Sequence, residues 1–313
     1  MNKISIVGAG HTGATIAYTL AINGYASEIV LIDIQNEKAQ GEAMDISHAM
    51  SFIGRANIYA GSYADAAGSD IVVVTSGVGR KPGQSRLDLA RTNVDIAKKI
   101  IPEITKAAPE AIYVIVSNPV DIITYAFHRY SDLPERNIIG TGNILDTARL
   151  RSCIAEKYSI NNKNVHALVF GEHGDSSFIP WSLLTISNIP IDIYQQSISY
   201  NMRETTPLNH AEVEDYVRRS GAEIIARKGA TFYAIALSVT HICKCVLNGL
   251  NTSLTVSAPM HGEYGVKDVC LSTLSIVGEG GLGGKLICRL TDEENRKLIH
   301  SGEVLKETIK LVL

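Results

Sequence analysis

The sequence predicts an α/β protein: an N-terminal doubly wound parallel sheet followed by a C-terminal mixed α+β domain. Three observations carry this. Short apolar runs without polar alternation recur in the first half, at residues 4–7, 28–34, 71–75 and 112–116, as strands buried on both faces do. Helical patterns alternate with them, as crossover connections require. Past residue 143 the pattern changes to long helices with short, glycine-flanked strands between them.

Taken in order, residues 4–7 form the first strand and residues 12–22 a helix stopped by Asn23-Gly24, a C-cap signal. The strand at 28–34 closes on Asp33. Residues 92–106 predict one crossover helix, with Val94, Ala97, Ile101 and Ile104 at helical spacing and a kink or break expected at Pro102. In the second half, helices are predicted over 144–158, 211–228 and 230–248, a strand over 165–170, and short strands over 253–257 and 266–269. Residues 291–313 predict an amphipathic helix. Thr291 and Glu294 make its capping box, and Leu298, Ile299, Val304, Leu305 and Ile309 its apolar face. The expected domains are 1–142 and 143–313, with no low-complexity linker and no internal repeat.

The 313 residues, 45% apolar and 19% charged, suit a folded chain with a large core. A net charge of −3 supplies no basic excess for a phosphate backbone, so nucleic acid is not an expected partner. No apolar run is long enough to span a bilayer, and the start reads as a strand rather than a signal peptide. The five cysteines lack a C-x-x-C pair, which predicts reduced thiols, a cytoplasmic protein and no structural metal.

The motif with the best context is Gly8-Ala9-Gly10-His11-Thr12-Gly13. It follows a strand, opens a helix, and is followed by an acid, Asp33, at the end of the next strand. Gly8 permits a tight turn, Gly10 lets the backbone approach a pyrophosphate, and Gly13 lets helix and strand pack closely. The helix N-terminus offers N–H groups to phosphates. Asp33 can accept from a ribose diol and would repel a 2′-phosphate, which favours NAD over NADP.

Four further segments lie where such a fold binds ligands. Ser117-Asn118-Pro119-Val120-Asp121 follows a buried strand, and alone reads equally as a turn. Asp146 and Arg149, spaced i, i+3, share a helix face; locally they read as a surface ion pair. Arg151 lies about 200° around from Arg149 and should point the other way. His173 stands between glycines in Gly171-Glu172-His173-Gly174-Asp175, where an imidazole can exchange a proton near neutral pH. A lone histidine with neighbouring acids lacks metal-ligand spacing. The stretch from Gly77 to Arg86 holds three glycines and three cations, and reads either as a solvated basic loop or as a lid closing over an anion.

Together and in this order, these motifs resemble the L-lactate/L-malate dehydrogenase family over essentially the whole chain. The resemblance implies NAD as cofactor, bound by Gly8, Gly10, Gly13, Asp33, Ser117 and Asn118, and a small 2-keto or 2-hydroxy acid as substrate. It implies His173 as general acid/base, with Asp146 fixing its tautomer and stabilising its protonated form. Arg149 would clamp the substrate carboxylate. Arg86, brought in by loop closure, would polarise the keto group. Asn118 and Thr231 would border the substrate.

Arg80 reads the substrate's far end in this family, where arginine resembles the malate enzymes and glutamine the lactate enzymes. Glu172, the segment Phe178 to Ser182, Lys228 to Tyr233, and Arg86 to Leu89 resemble the lactate branch. The resemblance therefore implies an L-lactate dehydrogenase acting on pyruvate; the alternatives are an L-malate dehydrogenase, because of Arg80, or a relaxed L-2-hydroxyacid dehydrogenase. Arg151 and His166 match the pair that binds fructose 1,6-bisphosphate between subunits of allosteric bacterial relatives; locally they read as an interface or surface pair. The resemblance also implies a homotetramer or homodimer. Two readings from other classes are weaker. A NAD-dependent glycoside hydrolase would need a cysteine beside His173 or Asn118. A non-catalytic NAD-binding protein would need a broken set of His173, Asp146, Arg149 and Arg86.

Overall fold

The computed structural model describes residues 2–54, 56–79, 83, 85–199 and 207–313. The first half winds β1 (Lys3–Val7), α1 (His11–Ile22), β2 (Glu28–Ile32), α2 (Asn36–Ile53), β3 (Asn57–Gly61), β4 (Ile71–Val74), α3 (Arg86–Ala107), β5 (Ile112–Ile115), α4 (Val120–Tyr130) and β6 (Ile138–Gly140). These six strands are parallel. The chain runs outward from β1 through β2 to β3, then outward on the other side from β4 to β6. The order reverses between β1 and β4, which opens a crevice at their carboxyl ends.

Burial on both faces shows in single strands. On β4, Ile71 and Val73 join a core with α1 and α2, while Val72 and Val74 join the opposite core with α3 and α4. Alternating side chains of one apolar run thus feed two cores.

The second half contains α5 (Ile144–Tyr158), β7 (Val165–His166), β8 (Thr185–Ile186), β9 (Ile189–Pro190), the short α6 (Ile191–Tyr194), α7 (His210–Lys228), α8 (Tyr233–Leu247), β10 (Thr252–His261), β11 (Lys267–Gly278), β12 (Gly281–Lys285) and α9 (Asp292–Val312). The strands β10 to β12 are longer than the sequence predicts and form an antiparallel meander. Through Ser257 opposite Gly140, β10 pairs with β6, so all three extend the first sheet to nine strands. A smaller sheet, β7-β8-β9, packs with α5 and α7 around Leu150, Ile154, Val165, Val213 and Val217. The capping box predicted for α9 is present: Thr291 Oγ1 accepts from Glu294 N, and Glu294 accepts from Thr291 N.

Several expectations need correction. The strand predicted over 165–170 ends at His166. Beyond it, side chains of α5 replace a neighbouring strand: Arg151 Nε donates to the Ala167 carbonyl (3.2 Å), and Val169 N to Thr147 Oγ1 (3.0 Å). The helix predicted over 92–106 begins earlier, at Arg86, where Ser85 caps it by accepting from Asp88 N. It runs unbroken through Pro102, which lies on the exposed side, where the carbonyl left without an N–H partner can take water. The helix predicted from residue 230 begins at Tyr233, because Gly229 ends α7 at φ +85° and Phe232 is not helical.

Candidate active site

The crevice between β1 and β4 starts from the glycine turn. Gly8 has φ +108°, and a Cβ there would press on Thr75 Oγ1 and Ser76 N. A Cβ at Gly13 would overlap the Gly8 carbonyl oxygen, so helix and turn are in backbone contact. Gly10 differs: a Cβ there would meet nothing within 4 Å. It caps α1 without a side-chain bond, so the helix's first N–H groups face an open cradle that a Cβ would partly fill. Asp33 lies alongside. Its two oxygens accept from Ala9 N (2.7 Å) and Gln35 N (2.9 Å), and each keeps lone-pair capacity for a diol. Cradle, helix end and acceptor fit a dinucleotide.

Across the crevice, Ser117 is buried and its hydroxyl donates to the Ser76 carbonyl (2.6 Å), tying the ends of β4 and β5 together. Asn118 is exposed, joined to Pro119 by a cis peptide bond, and its carbonyl accepts from Asn93 Nδ2 (2.7 Å). Asn93, on α3, also exchanges two hydrogen bonds with the Val78 backbone. One buried amide thus fastens the start of the glycine-rich loop to the Asn118 turn. Within that loop Arg80 lies outside the described residues.

A His173–Asp146–Arg149 group forms where α5 meets the 171–175 turn. Asp146 is 6% exposed, not the surface residue that local spacing suggests. One of its oxygens meets His173 Nδ1 at 2.6 Å, and the other accepts from Arg149 Nη1 at 2.8 Å. Burial alone would push the Asp146 carboxyl up; His173 and Arg149 outweigh it and hold it below the usual carboxylate range. Burial alone would push the half-buried His173 imidazole down; Asp146, reinforced by Asp121, leaves it above its ordinary value. With Nδ1 engaged by a carboxylate, Nε2 is the nitrogen left to exchange a proton.

The histidine's backbone is held as firmly as its ring. His173 N donates to Asp121 Oδ2 (2.7 Å), whose other oxygen accepts from Ser257 Oγ (2.5 Å). Asp121 is fully enclosed, and desolvation pushes its carboxyl up to about 6 against the pull of both bonds. Asn143 Nδ2 donates to the Gly171 carbonyl (3.0 Å), and Asn143 N to Ser272 Oγ (3.0 Å). The sequence expectations give Asp121 no role although it closes the Ser117–Asp121 motif, and give none to Asn93, Asn143 or Ser257 beyond their places in or beside predicted elements. Only Asp121 carried a signal, its place in that motif.

Arg86 opens α3 and forms a two-pronged ion pair with Asp175, at 2.8 Å on both prongs. It therefore stands two residues from His173, with both side chains well exposed. The Arg149 guanidinium packs against Gly221 of α7, where a Cβ would sit 3.4 Å away. Thr231 is half-buried ahead of α8. Its neighbour Phe232 stacks on His11 (5.7 Å between centroids), with Lys228 Nζ 3.5 Å from the Phe232 ring centre. Arg151 turns away from Arg149 toward Ala167, beside the exposed His166, and burial lowers its guanidinium pKa.

Comparison with known proteins agrees in both halves. Residues 2–140 match the lactate/malate dehydrogenase NAD binding domain, and residues 144–313 the lactate/malate dehydrogenase alpha/beta C-terminal domain. An L-lactate dehydrogenase of Thermoanaerobacterium saccharolyticum is 45% identical over 310 residues, covering 99% of each chain. One from Acetivibrio thermocellus is 44% identical, covering 99% of this chain and 97% of that one. Among solved structures, the minor L-lactate dehydrogenase of Enterococcus mundtii superposes with a TM-score of 0.92 at 39% identity, covering 100% of this chain and 98% of that one. With a family match across both halves and full-length relatives at this identity, the chain belongs to the lactate/malate dehydrogenase family.

Proposed function

We propose that the chain is an NAD-dependent L-lactate dehydrogenase that interconverts pyruvate and L-lactate. The observation that carries the chemistry is the Asp146 carboxylate, bonded at once to the His173 ring and the Arg149 guanidinium. One buried acid so aligns a proton donor with a cation suited to a substrate carboxylate. The bound nicotinamide supplies or accepts the hydride. Protonated His173 gives its Nε2 proton to the keto oxygen in reduction and takes it back, as neutral imidazole, in oxidation. Arg149 takes the substrate carboxylate in a fork. Arg86 turns from Asp175 to the keto oxygen, where its charge opposes the developing negative charge. Asn118 and Thr231 line the substrate. Gly8, Gly10, Gly13, Asp33 and Ser117 hold the cofactor.

Pyruvate is favoured over oxaloacetate because the relatives at 44–45% identity are named L-lactate dehydrogenases and because Glu172 and the segment after it are lactate-like. Arg80 is the dissenting residue. The test is NADH oxidation with each keto acid, and pyruvate turns over faster if the reading holds. Arg80→Gln then lowers the oxaloacetate-to-pyruvate rate ratio about tenfold or more, the loss of one charged contact. Oxaloacetate ahead in the wild type overturns the reading.

The same reading extends to assembly and control. Arg151 and His166 from two subunits would face each other across a twofold axis and hold fructose 1,6-bisphosphate. The assembly is a homotetramer or homodimer, the domains divide at residues 142/143, and the protein works in the cytoplasm. No helix among the described residues is long and apolar enough to cross a membrane. A pyruvate saturation curve that ignores the bisphosphate across the pH range removes the effector site.

A further inference from the structure

The turn that carries His173 is fastened by a hydrogen-bond ring that no step above uses. Glu172 N donates to Ser301 Oγ at 2.7 Å. Ser176 Oγ donates to Glu172 Oε2 at 2.5 Å. The two serine oxygens lie 2.9 Å apart. The proton directions follow. An ionised carboxylate accepts only, so the Ser176 proton goes to Glu172. Ser301 must then be the donor between the serines, while it accepts from the Glu172 backbone. The ring runs from Glu172 N–H to Ser301, to Ser176, and back to the Glu172 carboxylate, each hydroxyl donating once and accepting once.

Two glycines of the turn make room for this ring. A Cβ at Gly171 would sit 2.8 Å from Ser301 Oγ, and one at Gly174 would sit 2.7 Å from the Glu172 carboxyl carbon. The flanking glycines therefore do more than free the backbone beside the histidine. Ser301 lies on α9, far along the chain, and is fully buried.

We propose that Ser301 is a positioning residue for His173, acting from the C-terminal helix through Ser176 and Glu172. The proposal rests on the reading of His173 as the general acid. Glu172 N and His173 N are successive backbone donors, and they are held by different elements: Ser301 on α9 and Asp121 on α4. Fixing both sets the direction of the His173 side chain toward Asp146. With the Ser301 anchor gone, the turn relaxes on one side and the 2.6 Å contact with Asp146 lengthens. Charged or titratable groups around the imidazole are Asp146 and Arg149 on α5, Asp121 on α4, Glu172 and Asp175 on its own turn, and Arg86 of α3, paired to Asp175. Of these, Asp146 does most to favour the protonated ring, so a longer contact makes His173 a stronger acid.

The test is Ser301→Ala, with Ser176→Ala as a second variant whose hydroxyl lies nearer solvent. NADH binding, followed by fluorescence, is expected at the wild-type level in both. In Ser301→Ala, kcat for pyruvate reduction falls about tenfold, as for a misplacement well under 1 Å. The alkaline limb of kcat/KM moves down by about half a pH unit. Ser176→Ala shifts both in the same direction by less. The His173 imidazole, assigned by its loss in His173→Asn, is also titrated by ¹⁵N-histidine NMR without substrate, and its pKa falls in Ser301→Ala. An unmoved imidazole pKa and alkaline limb in both variants overturn the proposal. So does a loss of kcat matched by an equal loss of NADH-binding sites, which marks Ser301 as a residue of helix packing alone. A wild type that reduces neither keto acid refutes the assigned function, and the NMR titration still decides whether Ser301 positions the ring.

Discussion

Replacing Asp146 by asparagine keeps the shape of the site and removes the charge that both His173 and Arg149 use. The Asp146 side chain is 9% exposed and that of half-buried His173 29%. Two unit charges about 4 Å apart at an effective dielectric near 20 attract by about 4 kcal/mol. Removing one partner of a buried pair typically costs about 3–5 kcal/mol. At 1.36 kcal/mol per factor of ten, kcat/KM for pyruvate at neutral pH should fall about 10²- to 5 × 10³-fold. The pH profile supplies the mechanism. Pyruvate reduction needs protonated His173, so its rate is lost as pH rises through the raised His173 pKa. Without Asp146 only Asp121 still opposes the burial penalty, and that limb moves to lower pH. Lactate oxidation needs the neutral ring, so its acid limb moves down as well. The assay is steady-state NADH oxidation with pyruvate, and NAD reduction with lactate, from pH 5 to 10, beside NADH titration to count competent sites. A variant keeping a third or more of wild-type kcat/KM, with an unshifted alkaline limb, would refute the role of Asp146 as electrostatic partner.

Two further substitutions probe the cofactor turn and the buried acid behind the histidine. Gly10→Ala should melt like the wild type, because the added methyl meets open space, yet bind NADH about 10- to 100-fold more weakly if, as proposed, that space takes the phosphates. Gly13→Ala should do the reverse of the first half and melt earlier, since its methyl runs into the Gly8 carbonyl; equal melting of the two variants would dismiss the distinction. Asp121 titrates at about 6 when folded against 3.8 in its ordinary state. Its neutral form is thus favoured by folding, and the stabilisation it gives, complete below about pH 4, is lost as pH rises through about 6. Relative to Asp121→Asn, the wild type should lose about 1.4 kcal/mol of stability between pH 5 and pH 7.5. Denaturant melts at the two pH values measure this, and a pH-independent difference between the chains would exclude titration of Asp121 in that window.

How much of the fold is legible depends on which side chains fill the cores. The strands β1, β2, β4 and β5 stand out because apolar side chains dominate them, with Ser5 on β1 the one buried polar residue among them. The first of the unread elements, α2, buries Ala39, Ala43, Ile46 and Met50 at helical spacing. Two of these four are alanines, which raise the apolar signal little above a polar background. The edge strand β3 buries only Ile58. In β10 and β11 the signal is inverted: Thr255, Ser257, Ser272, Thr273 and Ser275 are almost fully buried, so hydroxyls sit where a pattern reading expects aliphatic side chains, and two long strands look like short ones. The same hydroxyls do the fastening, Ser257 on Asp121 and Ser272 on Asn143.

The site divides along similar lines. Residues that would touch substrate or cofactor stand in short motifs, because the chemistry fixes both their type and their local backbone. Residues that aim them do not. Three successive residues, Gly171, Glu172 and His173, are held by Asn143, Ser301 and Asp121 respectively, and Asn143 and Ser301 stand outside the motifs. A serine in the middle of a C-terminal helix has no local reason to be noticed; its role exists only once α9 packs onto the turn. Conversely, Asp146 and Arg149 look locally like a surface ion pair, and only the arrival of the 171–175 turn over α5 makes their carboxylate the buried partner of an imidazole. The glycines beside His173 are where the two kinds of information meet. They are visible in the sequence, but the reason for them is the Ser301–Ser176–Glu172 ring pressed against the turn from a helix more than a hundred residues away. That ring closes only when the last helix is docked, so on the role proposed for Ser301 the direction of the His173 imidazole depends on the end of the chain as much as on the motif that contains it.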